Sequence, residues 1–269
     1  MSKRLDLTLL GTGSSGGVPR IGNDWGVCDP DEPRNRRTRC CALLTQHNLQ
    51  NDKQTRILID TSPDLREQLL TADVDQLDGL VYTHDHADQC HGIDDVRVVA
   101  MRMKRRLMTF MDAATAETLT DRFSYCFEGR GGYPPILDLQ PFIAPLAPFS
   151  IDGEGGAVEL LPLDQEHGRI RSLGFRVGPI AYCNDVSEIS ESALEALKGV
   201  EVFVVDALRM TPHPSHAHLE RALGWIERLE PARSVLTNLH VDMDYHTLRR
   251  ELPETVEPAY DGMVISVDL

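Results

Sequence analysis

A mixed α/β fold follows from three features of the amino-acid sequence. Apolar runs of strand length recur along the whole chain, helical patterns lie between several of them, and four of the runs stop at residues suited to chemistry. The strand-length runs are LDLTLLG from Leu5, RILID from Arg56, LDGLVYTH from Leu77, RLMTFMD from Arg106, VELLPL from Val158, LGFRVG from Leu173, IAYCND from Ile180, VEVFVVDA from Val200, RSVLTNLH from Arg233 and MVISVDL from Met263. The adjacent Cys40 and Cys41 mark a further strand with one thiol on each face. Helical spacing appears in SPDLREQLLTA with Ser62 as N-cap, in SEISESALEALKG, and in SHAHLERALGWIERLEP with Ser215 as cap and Pro231 beyond the end. From about Phe123 to Gly156, glycine and proline break the periodicity, which predicts a long loop or small excursion from the core. No low-complexity linker divides the chain, so one domain over residues 1–269 is expected.

A chain of 269 residues with 41% hydrophobic content can bury a substantial core. No apolar stretch approaches a membrane span, and MSKRLDLTLLGTG lacks a signal-like segment, so a cytoplasmic protein without a membrane partner is expected. Forty-two acidic against twenty-seven basic residues give a formal charge of −15, which repels long nucleic acid and favours small anionic substrates. The six cysteines lack the density of a secreted disulfide framework and are expected to be mostly reduced, with Cys126 and Cys183 as buried thiols.

The four chemistry-bearing ends are His84, Asp185, Asp206 and His240. In layered α/β proteins, sites assemble where strands stop and loops begin, so these four are candidates for one cleft. The segment beginning at the first of them, H-D-H-A-D, places His84, His86 and Asp88 at every second position. In an extended segment they project the same way, and two imidazoles with a carboxylate suit zinc, manganese or iron. The triplet contains no cysteine, which argues against a purely structural zinc.

This segment resembles the signature of the metallo-β-lactamase fold, H-x-H-x-D-H, and His167 in LDQEHG, Asp185 in AYCNDVSEI and His240 in VLTNLH match that superfamily's later landmarks in chain order. The resemblance implies a four-layer αββα sandwich and two divalent ions, zinc or manganese. One ion would be held by His84, His86 and His167, and the other by Asp88 and His240, with Asp185 and a hydroxide shared between them. Such a pair lowers the pKa of bound water and stabilises charge on attacking and leaving oxygens. Gln89 departs from the pattern, because its amide oxygen is a neutral and weaker ligand than imidazole. Coordination through that oxygen, substitution by water or His91, and a partly filled second site all remain open.

The stretch GTGSSGGVPRIGNDWGVCDPDEPRNRRTRCCALL, with HGIDDVR, DALRMTPHPSHAHL and TNLHVDMDY, resembles the phosphoribosyl cyclic phosphate phosphodiesterase group, which is related to tRNA 3′-processing nucleases. The resemblance runs from Gly11 to Tyr245. It implies a phosphodiesterase acting on a small or cyclic phosphodiester or nucleotide, and by analogy a homodimer. Asp88 and His216 are the expected catalytic residues. His216 would contact the phosphate or protonate the leaving alkoxide, with His213 and His218 as competitors, and Asp206 would orient a ligand histidine. Two further features bear on phosphate binding. The GTGSSGG amides form either an anion nest or a plain tight turn, and Arg34, Arg36, Arg37, Arg39 and RMKRR meet phosphate, form a solvated face or pair internally. Some relatives carry a structural zinc on N-terminal cysteines, but Cys28 stands apart from Cys40 and Cys41, and no third metal is expected. The alternatives are an RNA-processing nuclease, a thioester or lactone hydrolase on the same scaffold, and a nucleotide- or metal-binding protein with impaired catalysis.

Overall fold

Two β-sheets lie face to face with helices on both outer surfaces in the computed structural model, which describes residues 2–269. The N-terminal half supplies strands β1 (Lys3–Gly11), β2 (Cys41–Asn48), β3 (Lys53–Ile59), β4 (Gly79–Val81), β5 (Leu107–Phe110) and β6 (Leu137–Leu139). It also supplies helices α1 (Leu65–Thr71), α2 (Ala87–Cys90), α3 (Val96–Met103), α4 (Ala113–Arg122) and α5 (Ser124–Glu128). The C-terminal half supplies β7 (Phe149–Ile151), β8 (Val158–His167), β9 (Ile170–Val177), β10 (Ile180–Cys183), β11 (Glu188–Ile189), β12 (Val202–Asp206), β13 (Arg233–Thr237), β14 (Val256–Pro258) and β15 (Met263–Asp268), with α6 (Glu191–Leu197), α7 (Leu219–Leu229) and α8 (Tyr245–Glu251).

The first sheet runs β15-β1-β2-β3-β4-β5-β6 and the second runs β11-β8-β9-β10-β12-β13-β14, with β7 paired to β8. The C-terminal β15 crosses back to lie antiparallel beside β1, Leu5 opposite Val267, which ties the chain ends into one sheet. From β3 to β6, and from β10 to β14, neighbours are parallel, so several strand ends open on one edge.

The alternation of side chains along each strand explains the layering. Leu5, Leu7 and Leu9 of β1 point into the space between the sheets with Val202 and Val204 of β12, while Phe203 and Val205 point the other way, onto Trp225 of α7 and Leu194 of α6. On the far side of the first sheet, Leu43, Leu58 and Leu80 meet Leu65 of α1, Val96 of α3 and Leu119 of α4. Three apolar layers therefore separate four layers of secondary structure, the expected αββα sandwich. All ten strand-length runs become strands, although several boundaries shift.

Two cap assignments are corrected. Helix α1 starts at Leu65 with Asp64 at its N-cap position, and Ser62 lies earlier, its hydroxyl donating to Gln68 Oε1 at 2.8 Å. Helix α7 starts at Leu219 with His218 at the N-cap position, which leaves Ser215 in the approach to the helix, where its carbonyl serves the site described next. The stretch from Phe123 to Gly156 is an excursion that contains α5, β6 and β7. All six cysteines are free and buried. Among the described residues no helix is long and apolar enough to cross a membrane.

Candidate metal centre

The strand tips converge. The segment after β4 carries His84 and His86, β8 ends at His167, the turn after β10 carries Asp185, β12 ends at Asp206, and the turn after β13 carries Asn238 and His240. Two of these turns, and the turn after β3, hold a non-glycine residue in the left-handed region, Asp185 at φ 49°, Asn238 at φ 61° and Asp60 at φ 64°. Such conformations are disfavoured unless the surroundings enforce them, and here they aim polar side chains inward.

His84, His86 and His167 bring one ring nitrogen each to a common volume, with all three atoms within 4.8 Å of one another. Neighbouring bonds decide which nitrogens these are. Asp60 accepts hydrogen bonds from the Thr83 amide and hydroxyl at 2.8 Å each, so Thr83 Oγ1 is left to accept from His84 Nδ1 at 2.9 Å. That bond fixes the proton on Nδ1 and leaves the lone pair on His84 Nε2, which is buried and has no partner. His167 Nδ1 donates to the Ser215 carbonyl at 2.6 Å, and its Nε2 faces His86 Nδ1 at 3.1 Å. Gly168 permits this arrangement. It has φ 62°, and a Cβ there would stand 2.8 Å from the Ser215 Cβ.

The orphaned, buried His84 Nε2 is costly, and its convergence with ring nitrogens of His86 and His167 is the donor set of a divalent ion. The 3.1 Å separation is close to the ~3.3 Å between two nitrogens bound at about 2.0–2.1 Å to one tetrahedral ion. Burial holds His84 well below the usual imidazole range. Burial and the neighbouring His216 together push His167 down to about 3, so both rings are neutral and their lone pairs free. The site residues thus fit a divalent ion on His84, His86 and His167.

Asp185 borders this trio. His167, Asp185 and His216 form a second group whose ligand atoms all lie within 4.8 Å of one another. Burial pushes the Asp185 carboxyl well up, and the carboxylates of Asp88, Asp206 and Asp60 add to that rise against the opposing pull of His216. A concentration of buried carboxylates calls for a cation.

His216 is the member of the His213, His216 and His218 trio that reaches the site. Its Nδ1 lies 2.9 Å from Asp206 Oδ2 and 3.5 Å from Asp185 Oδ1. Burial alone would lower its pKa, but Asp206, followed by Asp185 and Asp88, outweighs burial and raises it to about 9. Asp206 is fully buried and is held by the Val186 amide and by Asn238 Nδ2. It therefore orients His216, a histidine outside the trio. His213 turns its Nδ1 to Ser215, and His218 lies near Glu220.

The remaining candidates are arranged differently. Gln89 is buried, and its Nε2 donates to Asp185 Oδ2 at 2.7 Å and to Asp88 Oδ2 at 3.3 Å. His240 donates from Nδ1 to Asp242 at 2.7 Å, and its Nε2 is in contact with the Arg20 guanidinium. His91 is exposed and meets the edge of Phe123. Neither Asp88 nor His240 joins a group of three ligand atoms among the described residues.

Three of the four basic loop residues pair internally, while Arg36 is exposed near the Trp25 ring. Arg34 binds Glu32 and lies 4.1 Å over the Tyr245 ring, Arg39 binds Asp64, and Arg37 is buried against Asn35 and Cys28. The GTGSSGG segment is a pairing turn. The amides of Gly13, Ser14 and Gly17 bond to Thr38, Leu239 and Ser14 carbonyls, and Thr12 donates to Asp261. The sequence reading missed Asp60, Thr83, Asn238 and Arg20. Asp60 shared the signal used for the others, a polar residue at the end of an apolar run, whereas Arg20 carried none.

A model of the β-lactamase superfamily domain matches residues 55–238. An octanoyltransferase of Porphyromonas gingivalis is 33% identical over 264 residues, 97% of this chain and 51% of that protein, so the chain spans about half the length of this curated relative. A solved diphosphatase of the PhnP family is 31% identical with a TM-score of 0.88, covering 99% of this chain and 98% of the other. The short form of human tRNase Z is 17% identical with a TM-score of 0.63, covering 98% of this chain and all of the other.

Proposed function

The chain belongs to the β-lactamase superfamily and, within it, to the PhnP family, and from that premise we propose that it is a metal-dependent phosphodiesterase acting on a small or cyclic phosphodiester. One observation carries the reading: three imidazole lone pairs converge beside His216, a histidine whose proton is retained by carboxylates.

A divalent ion bound by His84, His86 and His167 supplies Lewis acidity and a water of lowered pKa. The chain's own residues do the rest. Asp185 lines the cleft floor beside the histidine trio, and Asp88, half-buried and joined to it through Gln89, is placed to accept the proton of the attacking water. Because His216 Nδ1 is engaged by Asp206, its Nε2 is the atom that donates. As the phosphorus–oxygen bond breaks, the electron pair goes to the leaving oxygen and the proton comes from His216. His86 is exposed, so the cleft is open on that side to substrate.

The net charge of −15 and the internal pairing of the loop arginines favour a small ester over a long RNA. Six free cysteines accord with a reducing compartment. The test is hydrolysis of bis-p-nitrophenyl phosphate, a cyclic nucleotide, a dinucleotide diphosphate, a tRNA precursor and an acyl thioester, after chelation and after add-back of zinc or manganese. Metal-dependent turnover of the small phosphate esters is expected. Turnover confined to the tRNA precursor or to the thioester contradicts the reading.

A further inference from the structure

Groups that a second ion would need are already engaged by this chain's own side chains. Such an ion would need carboxylate oxygens of Asp88 and Asp185, yet Gln89 Nε2 already donates to both. An amide N–H directed at two carboxylates gives them part of the positive field a cation would give. The imidazole of His240 is also engaged. With its proton on Nδ1 toward Asp242, the lone pair is on Nε2, and that atom meets the Arg20 guanidinium. One lone pair cannot serve a guanidinium and a metal ion together.

Arg20 is not placed there by chance rotation of a free arm. Its backbone pairs with Asp24 in both directions, and the loop that carries it is clamped beside His240. The clamp consists of a hydrogen bond from Val27 N to the Val241 carbonyl at 2.9 Å, one from Cys28 Sγ to the same carbonyl at 3.3 Å, and an apolar cluster of Val18, Cys28 and Val241 with Trp25 against it. The Arg20 side chain remains 41% exposed, and its Nη1 lies 3.7 Å from the exposed Asp24 carboxylate, a loose solvent-facing pair that a phosphate can displace.

Resting on the hydrolase reading above, we propose that the centre is mononuclear: Gln89 and Arg20 close the second metal position, and the Arg20 guanidinium takes over that position's contact with the phosphate of the substrate. A guanidinium matches two phosphate oxygens at once and carries its charge at every working pH. Gln89 and Arg20 act as a pair, one neutralising the carboxylates and the other facing the substrate.

The test is metal content per chain, read by mass spectrometry after loading with excess manganese and desalting, together with the electron paramagnetic resonance of the bound manganese. The natural protein is expected to retain about one ion with the signal of an isolated centre. The Gln89→His, Arg20→Ala double variant is expected to retain about two, with exchange coupling. Binding of inorganic phosphate to the zinc-loaded protein should weaken about tenfold or more in Arg20→Ala, and less in Arg20→Lys. Two coupled ions in the natural protein overturn the proposal and leave the hydrolase reading intact. That result corresponds to a Gln89 amide turned by half a rotation, with its otherwise unpartnered Oε1 on the metal. Retention of no ion overturns both. Unchanged phosphate binding in Arg20→Ala overturns the role given to the guanidinium.

Discussion

His84→Ala abolishes metal-induced stabilisation and lowers hydrolysis by at least about 10³-fold, because Lewis-acid stabilisation is worth several kcal/mol at about 1.36 kcal/mol per decade. The effect on the metal-free fold is smaller. In that state His84 Nε2 is buried without a partner, so truncation removes a destabilising polar atom along with its packing contacts, and the two changes partly offset each other. With metal at ~1,000 times Kd, the natural protein gains about 4 kcal/mol that the variant cannot gain. For a domain of this size that corresponds to a rise of roughly 8–16 °C in Tm. Thermal melts of both proteins with and without zinc check this, and an equal metal-induced rise in the variant would remove His84 from the ligand set.

Replacing His216 with asparagine leaves metal content unchanged and lowers kcat by about 10²–10⁴ for esters with an alkoxide leaving group. For p-nitrophenyl esters, whose leaving group departs without a proton, the loss is much smaller. A residue that only supported the fold would depress both substrates alike, so the ratio isolates proton donation. The pH profile carries a second signature. His216 titrates at about 9, raised by Asp206 and Asp185 against the opposing effect of burial, so the acid form is present below that pH and lost as pH rises through it. The natural enzyme therefore declines on the alkaline side with alkoxide esters, and the variant lacks that limb. In Asp206→Asn the same limb moves to lower pH, because the carboxylate that retains the proton is gone.

Much of this architecture is legible in the sequence because burial imposes a period on each strand. Leu5, Leu7 and Leu9 alternate with residues of the opposite face, and VEVFVVDA divides Val202 and Val204 from Phe203 and Val205 between two cores. The short elements were not legible. Strands β11 and β14 have two and three residues, too few for any period, and α2 is only four residues directly after His86. The caps failed for a different reason. Ser62 and Ser215 are the right residue type, but both hydroxyls or carbonyls are recruited by neighbours that sequence spacing does not reveal, Gln68 in one case and His167 in the other.

The candidate site was readable where chemistry coincides with a strand tip. His84, His86, His167 and Asp185 meet because strands of both sheets deliver their ends to one edge. The sequence showed Gln89 as a departure but could not show what the amide does. Its donation to Asp185 and Asp88 is a tertiary fact, as is the approach of Arg20 from more than two hundred residues away to His240. Asp206 was read as orienting a metal-ligand histidine, whereas it holds His216. Buried carboxylates at strand tips serve whichever imidazole the loops bring to them, and loop paths are the least predictable part of such a fold.

These features make the central claim geometric: strand tips cage a divalent ion on three named nitrogens. Anomalous scattering from crystals grown with zinc or manganese, recorded at the absorption edge of that metal, tests it most directly. A peak bonded to His84 Nε2, His86 Nδ1 and His167 Nε2 is the predicted result, and metal density absent from those three atoms while present elsewhere on the chain would contradict it.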